Sequence, residues 1–331
     1  MTDARPPWPI ALVTGYLGSG KTTLITRLLR HPDMADTMVI VNEFGEIGLD
    51  HHLIKAVTDN VILLPNGCLC CMIRQDVVQT LRELHRAWLM GSIPDFGRIL
   101  IETTGLAEPA PLVASITSHP MLSDAFALQS ITTLVDAEYA PSQIAGATCR
   151  NQIRVADYIA VSKCDLVTPT EVSDLHDRLI AMNPLASIRQ SDAVIEPDHL
   201  FRRTASRPLP PSISCDSGSD HLAGTTTLVL RPERPLTWTA FQTLINDVLN
   251  EFGPRLLRLK GRLSFDAHKA PVIIQAVHHT FYPIVEAPPG SGHDEDFLIL
   301  IFDDAVPASI VDQFACTGLV VLPWPDQGAA E

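Results

Sequence analysis

The stretch "GYLGSGKT", Gly15 to Thr22, fits G-x-x-x-x-G-K-[ST] at every fixed position. Glycines at these places let successive backbone N–H groups curl around phosphate oxygens, Lys21 sets a cation between the β and γ groups, and the Thr22 hydroxyl can ligate Mg²⁺. Gly15, Gly18, Ser19, Gly20, Lys21, Thr22 and Thr23 are therefore expected to line a phosphate site. A Gly-rich turn can match the pattern by chance, but the surroundings here are those the chemistry requires. Ile10 to Thr14 reads as a short buried strand before it, and "KTTLITRLLRH" has helical spacing after it. Strand, glycine loop and helix in that order predict a domain that binds a nucleoside triphosphate.

Outward from this unit the chain keeps alternating. Apolar runs recur at Met38 to Val41, Val61 to Leu64, Ile99 to Ile101, Ile131 to Val135 and Tyr158 to Val161, several separated by helical segments such as "DVVQTLRELHRAWLM". That alternation predicts an α/β domain with a mainly parallel sheet and helices on both faces. A length of 331 residues exceeds one usual core, so a second domain is expected. Arg203 to Gly224 is rich in Pro, Ser and Gly and breaks the periodicity, as a linker does. The expected division is 1–202 for the nucleotide domain, 203–224 for the linker and 225–325 for a smaller α+β domain.

Composition removes several functions. With 38 acidic residues against 24 Lys and Arg, the formal charge of −14 has the wrong sign for holding a nucleic-acid backbone. The start "MTDARPPWPIALVTG" lacks the basic lead and long apolar run of a secretory signal, and "FLILIF" is too short to span a bilayer. A cytoplasmic protein without nucleic-acid or membrane partners is expected. In that compartment thiols stay reduced, so clustered cysteines point to metal binding or catalysis rather than to disulfides.

Two further strand ends carry chemistry. "RILIETTG" places Glu102 at the end of an apolar strand, where a carboxylate can face Mg²⁺ or an attacking water, and Gly105 three residues later, where an amide can approach the γ-phosphate. "YIAVSKCD" ends another strand in Lys163 and Asp165, the pattern of the [NT]-K-x-D element. There the Asp accepts from guanine N1–H and the exocyclic amine, while the Lys stem lies along the base. Ser162 stands in place of the usual Asn or Thr.

In order along the chain, "GYLGSGKTT", "VNEFGEIGLD", "NGCLCC", "ETTGLAEP", "SKCD" and "LLRLKGRLSF" resemble the CobW-type GTPases, metal-handling P-loop proteins of the SIMIBI class. The resemblance covers nearly the whole chain, and its C-x-C-C element is the most specific part. It implies GTP hydrolysis with Mg²⁺, coupled to delivery of zinc, cobalt or iron to a client metalloprotein, with the C-terminal domain as the client-contacting module. A cobalt- or iron-inserting GTPase for a cobalamin-pathway or metalloenzyme client is an alternative within the family.

The cysteines bear on that implication through their own chemistry. Three of the seven in the chain, Cys68, Cys70 and Cys71, lie within "NGCLCC". Adjacent cysteines point to opposite faces of a strand but converge in an irregular loop, where thiolates at about 2.3 Å suit Zn²⁺ with a carboxylate or water as fourth ligand. Glu46 is the candidate carboxylate, and Asp50 a candidate contact to Mg²⁺ or water. Co²⁺ is accepted by the same ligands. Core packing and a dithiol redox centre are the competing readings of the cluster, the second lacking its usual C-x-x-C spacing. Cys149, Cys164, Cys215 and Cys316 read as packing or surface residues, His51 and His52 as exposed loop residues, and His278 and His279 as strand residues facing opposite sides. Outside the resemblance, a P-loop kinase of a small metabolite and a non-hydrolysing metal sensor remain open.

Overall fold

Trp8–Gly15 forms β1, in which Ile10, Ala11, Leu12 and Val13 have no exposed surface. Successive strand residues face opposite sides, so burial of all four means that both faces of the sheet are covered, as a central parallel strand requires. This computed structural model describes residues 6–41, 61–63, 71–191, 197–201, 225–233, 236–266, 270–287, 295–303, 306 and 308–322. The chain divides into two compact units, Met1–Arg203 and Thr204–Glu331.

In the first unit β1 lies between β4 (Arg98–Glu102) and β5 (Phe126–Asp136), parallel to both. Outward from β4 come β2 (Thr37–Val41) and β3 (Val61–Leu63), and outward from β5 come β6 (Tyr158–Ser162) and β7 (Ser187–Gln190), giving the order β3-β2-β4-β1-β5-β6-β7. Every pairing is parallel. Helix α1 (Lys21–Leu29) buries Leu24, Ile25, Leu28 and Leu29 against Ala11, Val13, Val39 and Leu100. This is a parallel-sheet P-loop fold, as the alternation of apolar runs predicts.

β5 begins at Phe126, before the apolar run Ile131 to Val135. Ser130, Thr132 and Thr133 are buried within it. Hydroxyls can enter a core where carbonyls receive them: Ser130 Oγ donates to Leu200 O, and Thr133 Oγ1 donates to Gln152 O at 2.7 Å.

The second unit is a seven-stranded sheet ordered β11-β10-β9-β13-β8-β14, with β12 paired to β10. Its strands are β8 (Thr225–Pro232), β9 (Leu256–Leu263), β10 (Val272–Val277), β11 (Thr280–Phe281), β12 (Val285–Glu286), β13 (Phe297–Asp303) and β14 (Leu319–Leu322). The named pairings are antiparallel. Phe241, Leu244, Ile245, Val248 and Phe252 form one helical stripe of Trp238–Phe252 and pack on Leu228, Leu230, Leu298 and Leu300. His278 and His279 are not strand residues. Val277 pairs with Thr280, which leaves the two histidines as a two-residue turn with His278 at φ 49°. A tight hairpin needs positive φ at its centre, and His is among the side chains that tolerate it.

Candidate functional site

Four neighbouring strands end at the same edge of the first sheet: β1 at Gly15, β4 at Glu102, β5 at Asp136 and β6 at Ser162. In parallel α/β sheets this carboxyl edge is where ligands bind. The loop after β1 takes positive φ only at its glycines, with Gly15 at 144°, Gly18 at 74° and Gly20 at 89°. Gly15 is also required for space, because a Cβ there would lie 2.5 Å from Leu134 O and 2.8 Å from Ser19 Oγ. Gly20 precedes α1 without a side-chain cap, and the first turn contains no acidic residue. Its amides are thus left to an anion, which the helix dipole favours. Ser19 Oγ is buried and has no hydrogen-bond partner among the described residues.

Lys21 is buried, and its Nζ donates to Gly15 O at 3.0 Å and Tyr16 O at 3.2 Å, folding the side chain back over the loop. Thr22 Oγ1 donates to Glu102 Oε1 at 3.2 Å, while Thr23 is exposed. Beyond Glu102, Thr103 N donates to Val13 O at 3.0 Å and Thr103 Oγ1 to Thr14 Oγ1 at 2.8 Å, so the strand end is tied to β1. Gly105 lies against the glycine loop so closely that a Cβ would meet Leu17 N at 2.6 Å.

On the other side, Ser162 Oγ donates to Ser19 O at 2.8 Å and to Val135 O at 3.3 Å. A hydroxyl at this position therefore reaches the glycine loop directly. Lys163 has φ 57°, and its Nζ pairs with Asp136 Oδ2 at 2.6 Å. Asp136 Oδ1 accepts from Glu138 N at 3.0 Å, which fixes the carboxylate that holds the lysine. Asp165 is exposed in the short helix Cys164–Leu166.

The structure thus brings Lys21, Thr22, Glu102, Gly105, Lys163 and Asp165 to one edge. Asp136 belongs with them although no motif names it; its signal is an acidic residue closing a long apolar strand. Cys71 is the first residue of helix α2 (Cys71–Leu89). Cys68, Cys70, Glu46, Asp50, His51, His52 and Cys215 lie outside the described residues. Among the described residues, no group of three or more His, Cys, Asp or Glu is placed to hold a metal. Cys149 is buried, and burial pushes its thiol up to about 11 despite the neighbouring Arg150, so it stays protonated. Cys164 Sγ donates to Val161 O at 3.6 Å, and Cys316 is exposed. Among the described residues, no helix is long and apolar enough to cross a membrane.

The family pattern described as "CobW/HypB/UreG, nucleotide-binding domain" matches residues 9–190. The chain belongs to this family. Residues 225–317 match its companion, the cobalamin synthesis protein cobW C-terminal domain. Among relatives, the zinc chaperone YjiA of Escherichia coli is 29% identical over 303 residues, spanning 89% of this chain and 94% of that protein. The zinc chaperone CobW of Pseudomonas aeruginosa is 38% identical over 138 residues, 39% of this chain and 35% of that one. The zinc-regulated GTPase metalloprotein activator 1 of Schizosaccharomyces pombe is 28% identical over 190 residues, covering 55% and 45% respectively. A crystal structure of a Zn(II)-bound triple mutant of the YjiA GTPase superposes with a TM-score of 0.69 at 25% identity, covering 94% of this chain and 99% of that one.

Proposed function

We propose that this member of the CobW/HypB/UreG family is a GTP-hydrolysing metallochaperone that binds zinc and passes it to a client metalloprotein in a GTP-dependent step. The observation that carries the nucleotide half is the shared edge on which Thr22 meets Glu102 while Ser162 holds the Ser19 carbonyl. In this reading the glycine loop is the phosphate cradle and Ser162–Asp165 the base-reading turn beside it. Guanine is favoured because Asp165 is an exposed acceptor following a lysine whose ammonium is already engaged by Asp136. The names of the relatives, zinc chaperones and a zinc-regulated GTPase, support the metal half.

In this reading the glycine-loop amides and Lys21 neutralise the β- and γ-phosphates. Thr22 and Glu102 would hold Mg²⁺, which fits a hydroxyl and a buried carboxylate already in contact. Held by these two residues, Mg²⁺ would supply positive charge against the charge that develops on the phosphates. Gly105 offers its amide toward the γ-phosphate. Cys68, Cys70 and Cys71, with Glu46, take the cargo metal, and Co²⁺ competes for the same ligands. Residues 203–224 act as a linker to the client-contacting domain.

The test is GTP and ATP turnover by the purified chain, together with native mass spectrometry for bound metal. Faster turnover of GTP than ATP and a bound zinc ion are expected. An acceptor-dependent transfer from ATP would replace this reading with a kinase.

A further inference from the structure

The loop that follows Glu102 is held from a helix that none of the sequence motifs includes. Gln152 lies in the helix Ala147–Arg154 and has no exposed surface. Its Nε2 donates to Gly105 O at 3.2 Å and to Ala107 O at 2.9 Å. Both partners are carbonyls and only accept, so the amide has one workable orientation and each of its two N–H groups is committed. The Gln152 carbonyl in turn accepts from Thr133 Oγ1 on β5, fastening the helix to the sheet at the same residue. Asn151, one position earlier, donates through Nδ2 to Glu108 Oε1 at 3.1 Å, at the start of the helix Pro109–Ser118.

The segment from Gly105 to Glu108 is therefore clamped at both ends by adjacent residues of one helix. On its opposite side Gly105 abuts Leu17 of the glycine loop with no room for a Cβ. The recorded hydrogen bonds of Gln152 go to this segment and to β5, and among the described residues none goes to the glycine loop or to Ser162–Asp165. The remaining polar atom, Gln152 Oε1, is buried without a hydrogen-bond partner among the described residues. An unpaired buried acceptor costs free energy, so the clamp is a compromised one.

We infer that Gln152 is a positioning residue for GTP hydrolysis, holding the Gly105–Ala107 backbone against the glycine loop so that the Gly105 peptide faces the γ-phosphate. The inference rests on the GTPase reading above. Because Gln152 acts on the loop and not on the cradle or the base turn, its loss should slow turnover without weakening nucleotide binding.

The experiment measures steady-state GTP hydrolysis and the affinity of a fluorescent GDP analogue for the full chain, Gln152→Met and Asn151→Ala. Methionine keeps the length of the side chain and removes both donors. A fall of about 10- to 100-fold in kcat is expected for Gln152→Met, the scale of an ångström-sized misplacement, with KM and GDP affinity within about twofold of wild type. Asn151→Ala removes only the outer tether and should lower kcat about fivefold, the worth of one hydrogen bond. Unchanged kcat in both variants, or a loss that appears in GDP affinity instead of kcat, overturns the inference. If Gln152→Met does not fold, Asn151→Ala decides alone, and an unchanged kcat there overturns it. Absence of turnover in the wild type would instead remove the GTPase reading itself.

Discussion

Thr22 Oγ1 donates to Glu102 Oε1 at 3.2 Å, joining the first turn of α1 to the last residue of β4. Two residues 80 positions apart in sequence thus form one polar contact beside the phosphate cradle. Glu102→Gln keeps the size and the acceptor oxygen but removes the negative charge. The expected outcome is a fall of about 100-fold or more in kcat for GTP, with GDP binding in the absence of Mg²⁺ unchanged. Single-turnover hydrolysis and a fluorescent GDP titration check the two halves separately.

Lys21 is folded onto the Gly15 and Tyr16 carbonyls, so its ammonium is poised over the loop it serves. Lys21→Ala should abolish measurable hydrolysis and weaken GTP binding strongly while the circular dichroism spectrum stays that of wild type. Turnover at the wild-type rate would sink the assignment of the phosphate site.

Ser162 stands where the [NT]-K-x-D element has Asn or Thr, and its hydroxyl reaches Ser19 O at 2.8 Å. Ser162→Ala should therefore lower affinity for GTP and ATP together, by about fivefold for one lost hydrogen bond. Asp165→Ala should lower the ratio of GTP to ATP affinity instead. Competition titrations with both nucleotides distinguish the two effects, and equal binding of ATP and GTP by wild type would refute the guanine reading.

Cys149 gives a pH dependence with a definite sign. Its thiol is raised from 9.0 to about 11, chiefly because burial disfavours the thiolate. The folded state then binds more protons than the unfolded one between these values. The stability it contributes is fully present below pH 9 and is lost as pH rises toward 11. Urea midpoints measured from pH 8 to 11 should fall more steeply for wild type than for Cys149→Ala. Parallel slopes would contradict the assignment.

Zinc and nucleotide affinity should be coupled if Glu46 shares an ion with Cys68, Cys70 and Cys71. A segment that orders around the γ-phosphate would then change the metal's ligands, and linkage makes the effect reciprocal. A coupling of about 1–3 kcal/mol, roughly 5–150-fold, is expected. Zinc competition with a chelating dye, in a non-hydrolysable GTP analogue or in GDP, measures it on wild type and Cys70→Ser. Equal zinc affinities in the two states would eliminate coupled release.

The parts of this site that were legible in the sequence are those where one backbone geometry admits few residues. Gly15, Gly18 and Gly20 all adopt positive φ, and Lys21 and Thr22 follow at fixed spacing, so the pattern carries its own conformation. The Lys163–Asp136 pair and the Gln152 clamp join residues 27 and 47 positions apart through the sheet order, which no local pattern encodes. The early part of β5, before Ile131, was hidden by Gln129 and Ser130, and the polarity of Ser130 hides its burial until its partner, the Leu200 carbonyl, is known. His278 and His279 continue an apolar run in composition, yet the tight pairing of Val277 with Thr280 makes them a turn.

The central position of β1 has a further consequence, for synthesis on the ribosome. Ile10 pairs with Ile99 on β4 and Leu128 on β5, and Trp8 pairs with Phe126 on β5. Parallel pairing of this kind postpones its reward until the distant strand has been made. β1 emerges before β4 and β5 and is thus among the last strands of its sheet to acquire both neighbours, so its apolar residues must wait unpaired. Nascent chains stalled before Phe126 should be cut readily near β1 by protease, whereas chains whose β5 and β6 have cleared the exit tunnel should resist. The glycine loop, made before β4, β5 and β6, is completed only late in translation.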